Sequence, residues 1–115
     1  MPWCVRKCPY CDFNSHAVPD GQLSMDLEQQ YLTALVADFE TQVEMAQGRL
    51  IHSVFIGGGT PSLISAQGYQ WLFDQLKARL DFEADCEITL EANPGTVEHD
   101  PFADYLAVGI NRLSL

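Results

Sequence analysis

Basic side chains are scarce: the chain holds only 6 lysines and arginines against 16 aspartates and glutamates, a formal charge of −10 over 115 residues. That shortage argues against nucleic acid or anionic membrane as a partner, because phosphates and anionic headgroups would be repelled. No run of about 18 consecutive apolar residues occurs, so no membrane span is expected. Met1-Pro2-Trp3-Cys4 is not a charged segment leading into an apolar one, so no secretory signal is expected and the cytosol is the default compartment. Low-complexity tracts and linkers are missing too, and a hydrophobic content of 47% argues against disorder.

Cysteine is also rare, with four in all, yet Cys4, Cys8 and Cys11 fall within eight residues. The few cations gather at the same place. Residues 1–11 contain Arg6 and Lys7 and no acid, whereas residues 12–115 contain all 16 acids and 4 bases. Nearby positive charge favours the thiolate, the form that binds metals.

Beyond the cysteine segment, residues 14–23 read as loop, with Pro19-Asp20-Gly21 a turn signal. A helix is predicted from about Asp26 to Gln47. Leu27, Tyr31, Leu35, Phe39 and Val43 recur at i+4, and Leu32 and Val36 widen the stripe. Ser24 or Asp26 can cap its start, and Gly48 suits its end. Ile51–Ile56 predicts a strand buried on both faces, as in parallel sheets. A second helix is predicted over Ala66–Leu80, capped by Ser65, with Tyr69, Leu72, Phe73, Leu76 and Leu80 on its apolar side. A strand from Cys86 to Ala92 stops at Asn93-Pro94-Gly95. A short helix follows over Glu98–Val108, with Pro101 in its first turn and Gly109 at its end. A third strand opens at Ile110 and runs to Leu115.

This alternation predicts an α/β fold with right-handed crossovers and a parallel sheet. Three strands cannot close a barrel, so the chain reads as a piece of a larger (β/α) protein. A strand before Cys4 and more chain after Leu115 are expected, and the piece is not expected to be robustly stable alone.

Three signals carry chemistry. Three thiolates spaced C-x3-C-x2-C can converge on one face of an iron–sulfur cube, leaving one iron free to bind a substrate or cofactor. The same thiolates with His16 could instead make a Cys3His zinc site; a disulfide framework does not suit a reducing compartment. Second, Gly57-Gly58-Gly59-Thr60-Pro61-Ser62 directly follows a strand. Consecutive glycines let a ligand approach the backbone and its N–H donors, although an isolated triple glycine is more often a tight turn. No P-loop lysine follows. Third, Glu91 closes a strand. In (β/α) barrels the working residues lie at the C-terminal strand ends, the rim that the glycine turn also occupies. Cys86 reads as a small buried apolar residue; His16 reads as a solvated loop histidine, with assistance to a cluster or haem as its alternative, and neither His52 nor His99 has a partner that the sequence can name. Trp71 and Phe73 read as core and helix surface, and Asp81, Glu83, Asp85 and Glu87 as a solvated outer face.

Taken together, Cys4-x3-Cys8-x2-Cys11 with Asp12-Phe13-Asn14-Ser15, Ile56-Gly57-Gly58-Gly59-Thr60-Pro61-Ser62, Leu90-Glu91-Ala92-Asn93-Pro94 and Gly109-Ile110-Asn111-Arg112-Leu113-Ser114-Leu115 resemble the radical S-adenosylmethionine (SAM) superfamily. Within it they resemble the oxygen-independent coproporphyrinogen III oxidase group, particularly its haem-chaperone branch, over essentially the whole chain.

That resemblance implies part of a partial TIM-type (β/α) barrel, truncated at both ends. Residues 1–115 would be the N-terminal portion of the core domain, with the cluster loop at 1–16 and the remaining barrel and a C-terminal domain absent. It implies that Cys4, Cys8 and Cys11 ligate a [4Fe-4S] cluster and that SAM chelates the free iron. Tyr10, Gly58, Gly59, Thr60 and Glu91 match positions that contact SAM. In the family, a reduced cluster gives SAM an electron and a 5′-deoxyadenosyl radical abstracts hydrogen. The implied partners are a tetrapyrrole (haem or porphyrinogen), an electron donor for the cluster and a haem-acceptor protein. Phe13 stands where members with coproporphyrinogen dehydrogenase activity carry a further cysteine. That departure points away from an oxidoreductase of porphyrin biosynthesis and toward the chaperone.

Overall fold

The computed structural model describes Met1, the backbone of residues 3–4 and 16–17, and residues 23–92 and 100–115. Strand β1 (Trp3–Cys4) pairs in parallel with β2 (His16–Ala17), Trp3 opposite His16 and Cys4 opposite Ala17. The cysteine segment is therefore bracketed by strand pairing where the sequence suggested only loop. Helix α1 (Met25–Glu40) follows, then β3 (Ile51–Ile56), α2 (Ala66–Lys77), β4 (Phe82–Glu91), α3 (Phe102–Ala107) and β5 (Arg112–Ser114). Strands β3, β4 and β5 form one parallel sheet in chain order. The expected alternating α/β architecture is thus present.

The local signals act as their chemistry demands. The Ser24 hydroxyl accepts from the Leu27 amide at 3.2 Å and caps α1; the Ser65 hydroxyl accepts from Gly68 at 2.9 Å and caps α2. Helix α1 stops at Glu40, short of the expected Gln47, because the Thr41 hydroxyl donates to the Asp38 carbonyl at 2.7 Å and competes for the helical acceptor. The chain then tightens into a 3-10 turn over Val43–Ala46. Helix α2 likewise stops at Lys77 rather than Leu80.

Strand β4 begins at Phe82, four residues before the expected Cys86. Phe82 pairs with Ile51, the register then slips, and Ser53 pairs with Glu87. Glu83-Ala84-Asp85 lies in that bulge, where no apolar alternation marks a strand. Helix α3 is shorter than expected because Pro101 stands outside it as the residue preceding Phe102; residues 98–99 lie outside the described residues. The third strand is confined to Arg112–Ser114. Before it, Asn111 uses its side chain as a strand would use backbone. Its Oδ1 accepts from Ile88 N at 2.9 Å and its Nδ2 donates to Cys86 O at 3.0 Å.

One face of the sheet makes the core. Ile56, Cys86, Ile88 and Leu90 pack with Leu32 and Val36 of α1, with Tyr69, Leu72 and Phe73 of α2, and with Tyr105 of α3. The other face carries Ser53, Phe55, Glu87 and Arg112, all exposed, and Thr89, which is buried between Phe55 and Arg112. So β3 is covered on one side, not two, and Phe55 is 63% exposed. Helix α1 shows a matching correction. Glu28, Leu32 and Val36 are its buried row, whereas Tyr31, Leu35 and Phe39 are half-buried along an apolar groove beside β3. Of the aromatic pair on α2, Phe73 is core and Trp71 is half-buried. Two of the acids read as a solvated face have partners: Glu83 lies 2.7 Å from His52 Nδ1, and Glu87 lies 3.3 Å from Arg112.

Candidate functional site

The register of the sheet builds the site. Ile56 pairs with Leu90, so the next residues, Gly57 and Glu91, emerge side by side at the same end of the sheet. A Cβ on Gly57 would stand 2.8 Å from Glu91 Oε2 and 2.8 Å from the Phe55 ring. The carboxylate and the ring edge therefore occupy the place of a side chain, and glycine is what lets them close in. No described residue donates a hydrogen bond to Glu91.

The next residue, Gly58, has φ +81°, and a Cβ there would meet the Met1 carbonyl oxygen at 2.8 Å. The Met1 ammonium donates to the Gly57 carbonyl at 2.6 Å. The chain leads from Met1 straight into β1, which lies against the 3-10 turn Pro61–Leu63. Met1 thus lies over the glycine turn, and the Trp3–Cys4 backbone runs beside the turn that follows it. Of the residues expected to hold cofactor, the structure brings Gly58, Gly59, Thr60 and Glu91 to one rim, and the strand that contains Cys4 lies against the adjoining Pro61–Leu63 turn. Tyr10, Cys8 and Cys11 lie outside the described residues, as does the side chain of Cys4.

Behind this rim the chain is buried without interruption from Thr60 to Ala66, and side chains from three helices grip it. Tyr69 donates its hydroxyl hydrogen to the Pro61 carbonyl at 2.6 Å. The Tyr105 hydroxyl lies 2.7 Å from both the Ser62 and the Ile64 carbonyls, a shared donor. From the other side, Glu28 accepts from the amide and the hydroxyl of Ser65, and Asp100 Oδ2 accepts from Ala66 N at 2.7 Å. The two carboxylates and the Ser65 hydroxyl satisfy the orphan amides that begin α2 and complement its dipole. Burial, reinforced by Tyr105, Tyr31 and Glu28, holds the Tyr69 hydroxyl well above its ordinary pKa, so it stays a donor.

Glu28, Asp100, Tyr69 and Tyr105 were not legible as site residues. The one available sign was Glu28 itself, an acid one turn before Leu32 and two before Val36 on the most buried row of α1.

Ser62 is fully buried, and its hydroxyl is the lone buried side-chain polar atom without a partner among the described residues. Such a group costs roughly 1–3 kcal/mol when desolvated and unpaired. Ser62→Ala is therefore expected to hold or raise stability, by up to about 1 kcal/mol in chemical denaturation. A marked loss instead would mean that the hydroxyl has a partner in the intact protein.

Cys86 is buried as expected, and burial, with the Glu83 carboxylate nearby, pushes its thiol pKa up. It belongs to the core. Among the described residues, no group of three His, Cys, Asp or Glu could hold a metal ion, and no helix is long and apolar enough to cross a membrane.

The residues present fit the cofactors that the sequence resemblance implied. Three thiols are soft donors suited to iron–sulfur ligation. At the rim lies a cradle that a Cβ at residue 57 or 58 would fill, next to the Glu91 carboxylate, to which no described residue donates.

A family model described as the radical SAM superfamily matches residues 1–115. The heme chaperone HemW of Escherichia coli (strain K12) is 54% identical over 115 residues, covering 100% of this chain and 29% of that protein. The heme chaperone HemW of Haemophilus influenzae is 50% identical, covering 100% of this chain and 30% of that one. Among solved structures, coproporphyrinogen III oxidase (HemN) from Escherichia coli, a radical SAM enzyme, matches with a TM-score of 0.81 at 29% identity. That match covers 98% of this chain and 25% of the oxidase. The chain therefore spans about three tenths of the length of the curated relatives it matches.

Proposed function

The chain belongs to the radical SAM superfamily, and on that footing we propose that it is the cofactor-binding part of a cytosolic protein that binds haem and transfers it to an acceptor. In this reading Cys4, Cys8 and Cys11 hold a [4Fe-4S] cluster by three corners. Gly58, Gly59 and Thr60 offer backbone to SAM, Glu91 accepts from its polar hydrogens, and Tyr10 lines the same place. Bound there, the cluster and SAM would supply one-electron chemistry. The residues of this chain hold and orient.

One observation carries the reading: the glycine turn, the Glu91 carboxylate, unpaired among the described residues, and the backbone leading to Cys4 share one end of the parallel sheet. That is the end at which β/α folds place their ligands. The role of haem rests on the similarity to heme chaperones and on Phe13, which replaces a cysteine of the dehydrogenases that the sequence resembles. A second reading, oxidative decarboxylation of a porphyrinogen with SAM, is favoured by the structural match to HemN.

The two readings part in one experiment on the intact, anaerobically reconstituted protein. Haem binding is expected in titration, with haem passing to an acceptor. No decarboxylated product is expected from coproporphyrinogen with SAM and a reductant. Steady porphyrinogen turnover would replace the first reading by the second. A colourless protein that retains stoichiometric zinc would overturn both.

A further inference from the structure

The segment after the glycine turn is held in a manner that core packing alone does not require. Tyr69 and Tyr105 are buried rings packed edge to face, with centroids 6.0 Å apart, and Phe73 stacks on Tyr69 at 5.8 Å. Phenylalanines at both places would fill nearly the same volume. Each ring instead carries a hydroxyl aimed at backbone carbonyls of residues 61–64, the turn against which β1 lies. The Tyr105 hydroxyl draws two carbonyls, those of Ser62 and Ile64, to a single donor. That fixes the distance across the turn.

Two carboxylates hold the next two amides from outside α2. Pro61 through Ala66 is thus fixed by side chains from α1, α2 and α3 and from the residue before Pro101. Immediately ahead of it stand Gly57, Gly58 and Gly59, whose backbone has no side chains of its own to brace it. A bare glycine turn offers donors to a ligand, but it is preorganised only if its neighbour is rigid.

We propose that Tyr105 and Tyr69 are positioning residues, whose hydroxyls, through the 61–64 carbonyls, set the Gly57–Thr60 backbone for the amino-acid or ribose portion of SAM. This rests on the cofactor reading above. It adds that α3, and with it the approach to β5, is coupled to the cofactor turn through one hydroxyl group. Tyr105→Phe removes that link while keeping the ring.

The test uses the intact, cluster-reconstituted protein. In Tyr105→Phe, SAM is expected to bind about tenfold more weakly, read from its perturbation of the reduced cluster's EPR signal. The iron content and the SAM-free spectrum should match wild type, and amides 57–60 should exchange faster with deuterium. Tyr69→Phe loses a single bond and should show a smaller shift of the same kind, which keeps the test available if Tyr105→Phe folds poorly. Val36→Ala, a core position on α1 about two turns beyond Glu28, should lower Tm while leaving SAM affinity unchanged. Wild-type SAM affinity and wild-type exchange at 57–60 in Tyr105→Phe, with only Tm reduced, would overturn the proposal. If wild type itself binds no SAM, the cofactor reading fails. The exchange data then judge the clamp alone, and unchanged rates at 57–60 would dispose of it as well.

Discussion

Cys8→Ala in the intact protein is expected to abolish the brown chromophore after anaerobic reconstitution with iron and sulfide. Three thiolates leave an iron–sulfur cube with one open iron, and removing one of them leaves two open corners and a cluster exposed to loss. Substituting mere outer-shell partners of metal ligands costs about 10–100-fold in affinity, so loss of a ligand should bring bound iron to background. Cys86→Ala is the matched control. Its thiol is buried and its pKa raised, which suits packing and not ligation. An unchanged spectrum in Cys8→Ala, or a spectrum lost in Cys86→Ala, would remove the ligand assignment.

The second large effect is expected at Gly58, and it comes with an ordering. A Cβ at Gly57 meets the far ends of two side chains, Glu91 Oε2 and the Phe55 ring, and both can swing aside. At Gly58 a Cβ meets the backbone oxygen of Met1 at 2.8 Å, on a residue whose φ is +81°. Left-handed backbone costs a non-glycine residue about 1–2 kcal/mol, and the clash adds to it because a main chain cannot rotate away. Gly58→Ala should therefore weaken SAM binding by at least about tenfold and displace the strand that begins at Trp3. Gly57→Ala should cost less. Calorimetric titration of both variants checks the order, and equal or reversed losses would mean that Met1 does not lie over this turn in the intact protein.

Much of this architecture is readable without coordinates because its causes are local. Ser24 and Ser65 cap helices by bonding amides three residues on. Ile51–Ile56 followed by three glycines marks a strand and its end, and Cys86–Ala92 before Asn93-Pro94 marks most of the next. Where structure and local pattern part, the cause is a partner that the pattern does not show. Apolar spacing extends α1 past Thr41 because it does not register a hydroxyl competing for a carbonyl. An apolar run such as β3 predicts cover on both faces because it does not say which neighbours are there.

The amino-acid order by itself determined the spacing of the thiols, the flexible glycine backbone and the alternation of helix and strand. Each of these follows from residues a few positions apart. Only the tertiary structure decided that Glu91 fills the space beside Gly57, which requires a register between strands more than thirty residues apart. It alone decided that Glu28, Tyr69, Asp100 and Tyr105 converge on residues 61–66. Hydrogen bonds across such separations form only once burial has packed the helices onto the sheet. The chemistry of each group is therefore written in its residue type, while its purpose is set by the neighbour it meets.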